Sequence, residues 1–183
     1  MNAKMICDIQ LNPTRARGFS LIEVLVAMLI LAIGVMGVGA LQLSTYRQLS
    51  TSHNFGNASM LAGEIADRML ANRTQALANA YNHTTLPGST PTNCSTATCN
   101  LAQMAAYDVY QWQILVTGNI ASGTKTPGSL PSGTGAVAQV GTSNDYTITV
   151  RWDDDLSGST GTTCPTTAST DLDCYVITVG IPI

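Results

Sequence analysis

Charge is scarce in this chain of 183 residues: Asp, Glu, Lys and Arg together make up 10% of it. Cations are the rarer sign, and beyond residue 17 they stand singly at Arg47, Arg68, Arg73, Lys125 and Arg151. No basic face exists to clamp a phosphate backbone, so direct nucleic-acid binding is not expected. Histidine is limited to His53 and His83. A Ser-His-Asp set would need one of them beside the acids of the C-terminal half, and both precede that half. The chain has no G-x-S-x-G, no H-E-x-x-H and no phosphate loop, which points away from an enzyme and from a bound cofactor. No two cysteines have C-x-x-C spacing, so a metal centre is not expected either. Proline is missing from Phe19 to Leu86, which leaves room for a very long helix.

What is present begins with an apolar run. From Val24 to Tyr46 no side chain is charged, enough to cross a hydrocarbon core of ~30 Å as a helix. Lys4, Arg15 and Arg17 precede it, and positive residues hold that end in the cytoplasm, so the chain after Tyr46 faces outward. Glu23 is the anomaly. A carboxylate inside such a span costs roughly 2.5 to 3.5 kcal/mol at the bilayer centre, and an ordinary anchor would not carry it without a partner.

Arg17-Gly18-Phe19-Ser20-Leu21-Ile22-Glu23 resembles the prepilin signal of type IV pilins and type II secretion pseudopilins. The resemblance implies cleavage between Gly18 and Phe19 by a membrane prepilin peptidase, N-methylation of Phe19, and a mature chain starting at Phe19. It gives Glu23 a role in assembly: its carboxylate would neutralise the N-terminal ammonium of a neighbouring subunit's Phe19. A second segment, Ala66-Asp67-Arg68-Met69-Leu70-Ala71-Asn72-Arg73, is similar to a motif of the type IV pilus minor pilins of the PilV family, as are Ala106-Tyr107-Asp108 with Trp112 and the run Val150-Arg151-Trp152. That family implies an α+β, pilin-like fold, in which a long N-terminal helix packs on a small antiparallel β-sheet head. It also implies partners: a prepilin peptidase and N-methyltransferase, other minor pilins and the major pilin, and the inner membrane before assembly.

Cysteine usage points to an oxidising compartment. Cys7 falls in the leader, and the even remainder is Cys94, Cys99, Cys164 and Cys174. Four cysteines permit three connectivities. Local pairing, 94 with 99 and 164 with 174, is expected because each pair brackets a Thr/Ser/Pro-rich loop, and it requires a periplasm-like environment.

The rest of the chain supplies a layout. Residues 1–18 are the leader, 19–46 the transmembrane and assembly half of a helix, 47–80 its amphipathic half and 81–183 a periplasmic β-rich head. The helix is expected to run unbroken from Phe19 to about Ala80, roughly 90 Å, with Gly56 and Gly63 as its weakest points. Ala58, Leu61, Ala62, Ile65, Ala66 and Met69 fall on one face, and Glu64 and Arg68 pair at i, i+4. Pro87-Gly88 marks a loop. A second helix over 101–115, capped by Asn100, is expected to bury Leu101, Met104, Ala105, Trp112 and Leu115. Strands are expected at 136–140, 146–152 and 175–179, with Asn144-Asp145 turning between the first two. Asp153-Asp154-Asp155 with Ser157 offer oxygens of the kind Ca²⁺ takes, but without EF-hand spacing they read as a turn. Three functions remain open: a minor pilin of the type IV pilus that primes assembly and supports adhesion and twitching motility; a minor pseudopilin of a type II secretion system; or a membrane-anchored periplasmic binding domain that never polymerises.

Overall fold

A computed structural model describes residues 18–84, 89–118, 128–165 and 171–183. Outside these lie most of the leader, the Pro87-Gly88 turn, Lys125 and part of the loop between Cys164 and Cys174. The chain has the expected α+β, pilin-like arrangement, a long N-terminal apolar helix and a small antiparallel sheet. It divides into two compact units, Met1–Thr45 and Tyr46–Ile183.

In the first unit the described residues are almost entirely the start of α1 (Leu21–Ala71), and all of them are exposed. Its side chains are apolar all round rather than on one stripe, the signature of a helix meant for lipid or for other helices. Gly34, Gly37 and Gly39 leave open space where a Cβ would sit.

The second unit is built on the C-terminal part of α1. Ala58, Leu61, Ala62, Ile65, Ala66 and Met69 are buried in one core with the sheet, the stripe that the i, i+3, i+4 spacing predicts. The helix does not continue to Ala80. It stops at Ala71, and a short turn of helix, α2 (Arg73–Leu77), follows. The cause is Asn72, whose backbone leaves helical geometry at φ −112° and ψ 50°. Its side-chain amide donates instead to the Leu101 carbonyl, 2.8 Å away, an example of a short polar side chain competing with the helix. Gly56 and Gly63 stay inside α1.

α3 (Leu101–Thr117) starts at Asn100 with a full capping box: Asn100 accepts from the Gln103 amide, and the Gln103 side chain accepts from the Asn100 amide. Its buried face differs from the expected one. Ala105, Val109, Trp112, Gln113 and Val116 go inside, whereas Leu101 is 55% exposed and Met104 and Leu115 are also out. Trp112 sets that rotation. Its indole N–H donates to the Leu61 carbonyl at 2.7 Å, and its ring lies over Gly135, where a Cβ would come within 2.6 Å of it. A side chain at 135 would push the indole off the sheet.

The sheet has order β1-β2-β3, with β1 (Thr134–Gln139), β2 (Asp145–Trp152) and β3 (Asp173–Gly180) antiparallel throughout. Tyr146, Ile148, Val150 and Trp152 point from β2 into the core, matching the period-2 pattern. The β1–β2 turn lies one residue earlier than expected: residues 140–144 form it, with Gly141 at φ +59°, and Asp145 already belongs to β2. Disulfides join Cys94 to Cys99 and Cys164 to Cys174.

Ile148 is fully buried in the middle strand, so Ile148→Ala is expected to cost about 2 to 5 kcal/mol in chemical denaturation. Val176→Ala on the outer face of β3 should stay within about 0.5 kcal/mol.

Candidate functional site

Two regions carry candidate chemistry, one in each unit. In the first, α1 begins at Leu21, and the Ser20 carbonyl accepts the Glu23 amide at 3.0 Å and the Val24 amide at 3.3 Å. Glu23 therefore sits in the first turn, where the helix dipole favours an acid. Phe19 and Glu23 are four residues apart and share one face with Val24, Ala27, Met28 and Leu31. Phe19 is 83% exposed. No described residue pairs with the Glu23 carboxylate. The geometry is a carboxylate at the head of a helix whose first part is apolar, with no counter-charge among the described residues.

In the second unit a polar network ties α1 to α3. Arg68 pairs with Glu64 one turn back and with Asp108 of α3 at 3.4 Å. The other Asp108 oxygen accepts the Tyr81 hydroxyl at 2.7 Å. Burial, reinforced by the Asp108 carboxylate, holds the Tyr81 phenol well above its ordinary range. Asp108 and Tyr81 are the members that sequence reasoning missed. Asp108 stood inside a quoted motif, and its position just before buried Val109 was the available signal. Asp67 is exposed, and Arg73 reaches the Ile183 carbonyl at 3.5 Å.

The three acids after β2 shape a loop. Asp153 is buried, and its carboxylate accepts the amides of Ser157 and Gly158 and the Ser157 hydroxyl. Asp154 accepts from Thr51 and Asn54 of α1 and from the Trp152 indole. With Asp155 it lines a groove of about 500 Å³ shared with Tyr46, Arg47, Ser50 and Thr51. Hydrogen bonds from Ser157 hold Asp155 below the usual carboxylate range. Among the described residues no group of three or more His, Cys, Asp or Glu is placed to hold a metal. His53 lies 3.2 Å from the Asn57 amide, and His83 forms a backbone bridge with Val137. The two histidines thus lie apart from each other in different local settings.

Residues 13–39 match the prokaryotic N-terminal methylation motif. Residues 40–110 match the family described as Type IV pilin Tt1218. No curated protein and no solved structure matches the chain. The first match is to a motif that implies processing by a prepilin peptidase and assembly with other pilins. With the adjoining second match it supports a type IV pilin, a structural and non-enzymatic family. The methylation motif and the apolar start of α1 fit a pilin anchored in the inner membrane.

Asp173 supplies a pH test of this region. Partial burial raises its pKa, and repulsion from Asp154, Asp155 and Asp153 adds to the shift. An acid whose folded pKa is raised weakens the fold as pH climbs from the ordinary value of 3.8 through the raised one, and the penalty persists above it. Asp173→Asn is therefore expected to raise the melting temperature at pH 7, with the gain shrinking as pH falls through the raised pKa and absent below pH 3.8.

Proposed function

We propose that this chain is a minor pilin of the type IV pilus, incorporated in a priming or tip complex that initiates pilus assembly and supports adhesion and twitching motility. The observation that carries it is Glu23, which has no ion-pair partner among the described residues, at the apolar start of α1 within the methylation motif. In this reading residues 1–18 are a leader, cut from Phe19 by the prepilin peptidase, and Phe19 is then N-methylated. Residues 19–46 cross the inner membrane with the N-terminus in the cytoplasm, 47–80 form the amphipathic half of the stem, and 81–183 are the periplasmic head that later reaches the cell surface.

Glu23 then acts by charge. Its carboxylate and a neighbour's methylated N-terminal ammonium are each costly in lipid alone, and pairing offsets both costs. Subunits thereby leave the membrane in register. The partners are other minor pilins and the major pilin. The similarity of residues 66–73, Ala106-Tyr107-Asp108 and Val150-Arg151-Trp152 to the PilV family supports the pilus over the secretion system.

Glu23→Lys puts like charges together and is expected to leave the chain in the membrane while abolishing its appearance in sheared pili. Unchanged piliation would sink the assembly role. In a strain lacking the chain, twitching should fail while exoprotein release continues; the reverse outcome would identify a pseudopilin.

A further inference from the structure

The two edges of the sheet are finished differently, and hydrogen-bond parity shows how. In an antiparallel pair, the N–H and C=O of one residue point to the same side, and successive residues alternate. The Val140 amide bonds to Asp145 across the β1–β2 hairpin, and the Ile181 amide bonds to Asn144 across β2–β3. Odd-numbered residues of β1 therefore face outward, and so do even-numbered residues of β3. The outer edge of β1 is occupied: Val137 exchanges both backbone bonds with His83, and the Gly135 carbonyl accepts the Gln113 amide at 2.8 Å. Among the described residues the outer edge of β3 is met just before its start, where the Gly161 carbonyl takes the Leu172 amide at 3.0 Å. Beyond it, no described residue bonds to the outward backbone groups of Cys174, Val176, Thr178 or Gly180.

Past its first residues, that edge carries none of the usual guards among the described residues. Edge strands are blunted by lysine, proline, a bulge or extreme shortness. β3 has eight residues, pairs with β2 in unbroken register, contains no lysine or proline, and bears one charge, Asp173, at its first position. Val176 is 44% exposed beside the open backbone groups. The acids Asp153, Asp154 and Asp155 act on Asp173 at that same end.

We infer that the open edge of β3 receives an extended strand of another pilin subunit, uncharged opposite Val176 and Thr178 and basic where it passes Asp173. The inference rests on the pilin reading, which supplies other pilin chains as neighbours. Backbone bonds give the attachment and the Asp173 end sets its register. A second copy of this chain is the poorer occupant, because its β1 edge is already closed and its β3 brings another acid and no base.

Thr178→Pro tests it. The Thr178 N–H faces away from β2, so proline removes an outward donor and no bond of the β2–β3 ladder. Val176→Lys guards the same edge with charge, and Ile177→Pro, whose N–H faces β2, is the unfolding control. In full-length chain expressed with its pilus machinery, Thr178→Pro and Val176→Lys are expected to keep wild-type membrane levels. Each should lower the chain's abundance in sheared pili at least about tenfold, the effect of one or two net hydrogen bonds. Wild-type abundance of both variants in pili, with Glu23→Lys absent, would overturn the edge inference and leave the pilin reading standing. Absence of the wild-type chain from pili would overturn both. If Thr178→Pro lowers the membrane level as Ile177→Pro does, Val176→Lys decides. A photoreactive label attached to the thiol of Thr178→Cys should link the chain to another pilin on illumination; a linked species of twice its own mass alone would assign the edge to a second copy and overturn the inference.

Discussion

The indole of Trp112 is the contact on which the second unit depends. It inserts between α1 and β1, donates to the Leu61 carbonyl inside α1, and lies against the bare backbone of Gly135. The small residues Ala58, Ala62 and Ala66 on the facing stripe let α1 come close enough for that bond. Its N–H is satisfied although the ring is fully buried, so the aromatic area is buried without an orphaned donor. Tyr146 repeats the device from β2, with its hydroxyl donating to the Ala76 carbonyl at 2.6 Å. Both bonds end on carbonyls of the N-terminal helices, and they fix the helical layer against the sheet at two separate points.

The polar network of Arg68, Asp108 and Tyr81 adds direction rather than much affinity. Arg68 and Glu64 are partly exposed, and exposed pairs contribute little. Asp108 is better covered, and its two oxygens are shared between a cation and a phenol. Removing Arg68 would leave that carboxylate beside a buried hydroxyl whose own ionisation is already suppressed. The network selects one rotation of α3 about its axis, the rotation that presents Val109 and Trp112 inward.

Much of this was legible in the sequence, and the exceptions have physical reasons. The β2 alternation was readable because one face is fully buried, and the stripe on α1 because its spacing never breaks. The end of α1 was hidden: no glycine or proline marks it, and Asn72 leaves the helix only because the Leu101 carbonyl, 29 residues away, captures its amide. The face of α3 was misjudged because Val109, Gln113 and Val116 turn inward with Trp112, which leaves Leu115 on the outer side, while Leu101 lies in the exposed first turn. The β1–β2 hairpin was legible from its turn, but the place of β3 was not, since alternation specifies a face and not a neighbour. The candidate site divided in the same way. Gly18, Phe19 and Glu23 form a local motif, whereas Asp108 and Tyr81 meet only after folding.

The two units have different reasons to associate. In lipid an apolar helix gains little from leaving one apolar neighbour for another, so in the proposed assembly the stem contributes weak affinity and Glu23 contributes selectivity by charge. In water the open edge of β3 faces the opposite situation. Its outward amides and carbonyls are solvated before contact, and each new bond is worth only a net ~0.5 to 1.5 kcal/mol, but a strand brings several bonds at once in fixed register. A charge pair in the stem tolerates rotation of one helix about another; a β-ladder does not. In the proposed assembly the stem therefore selects that a subunit joins, and the head edge selects which neighbour it joins.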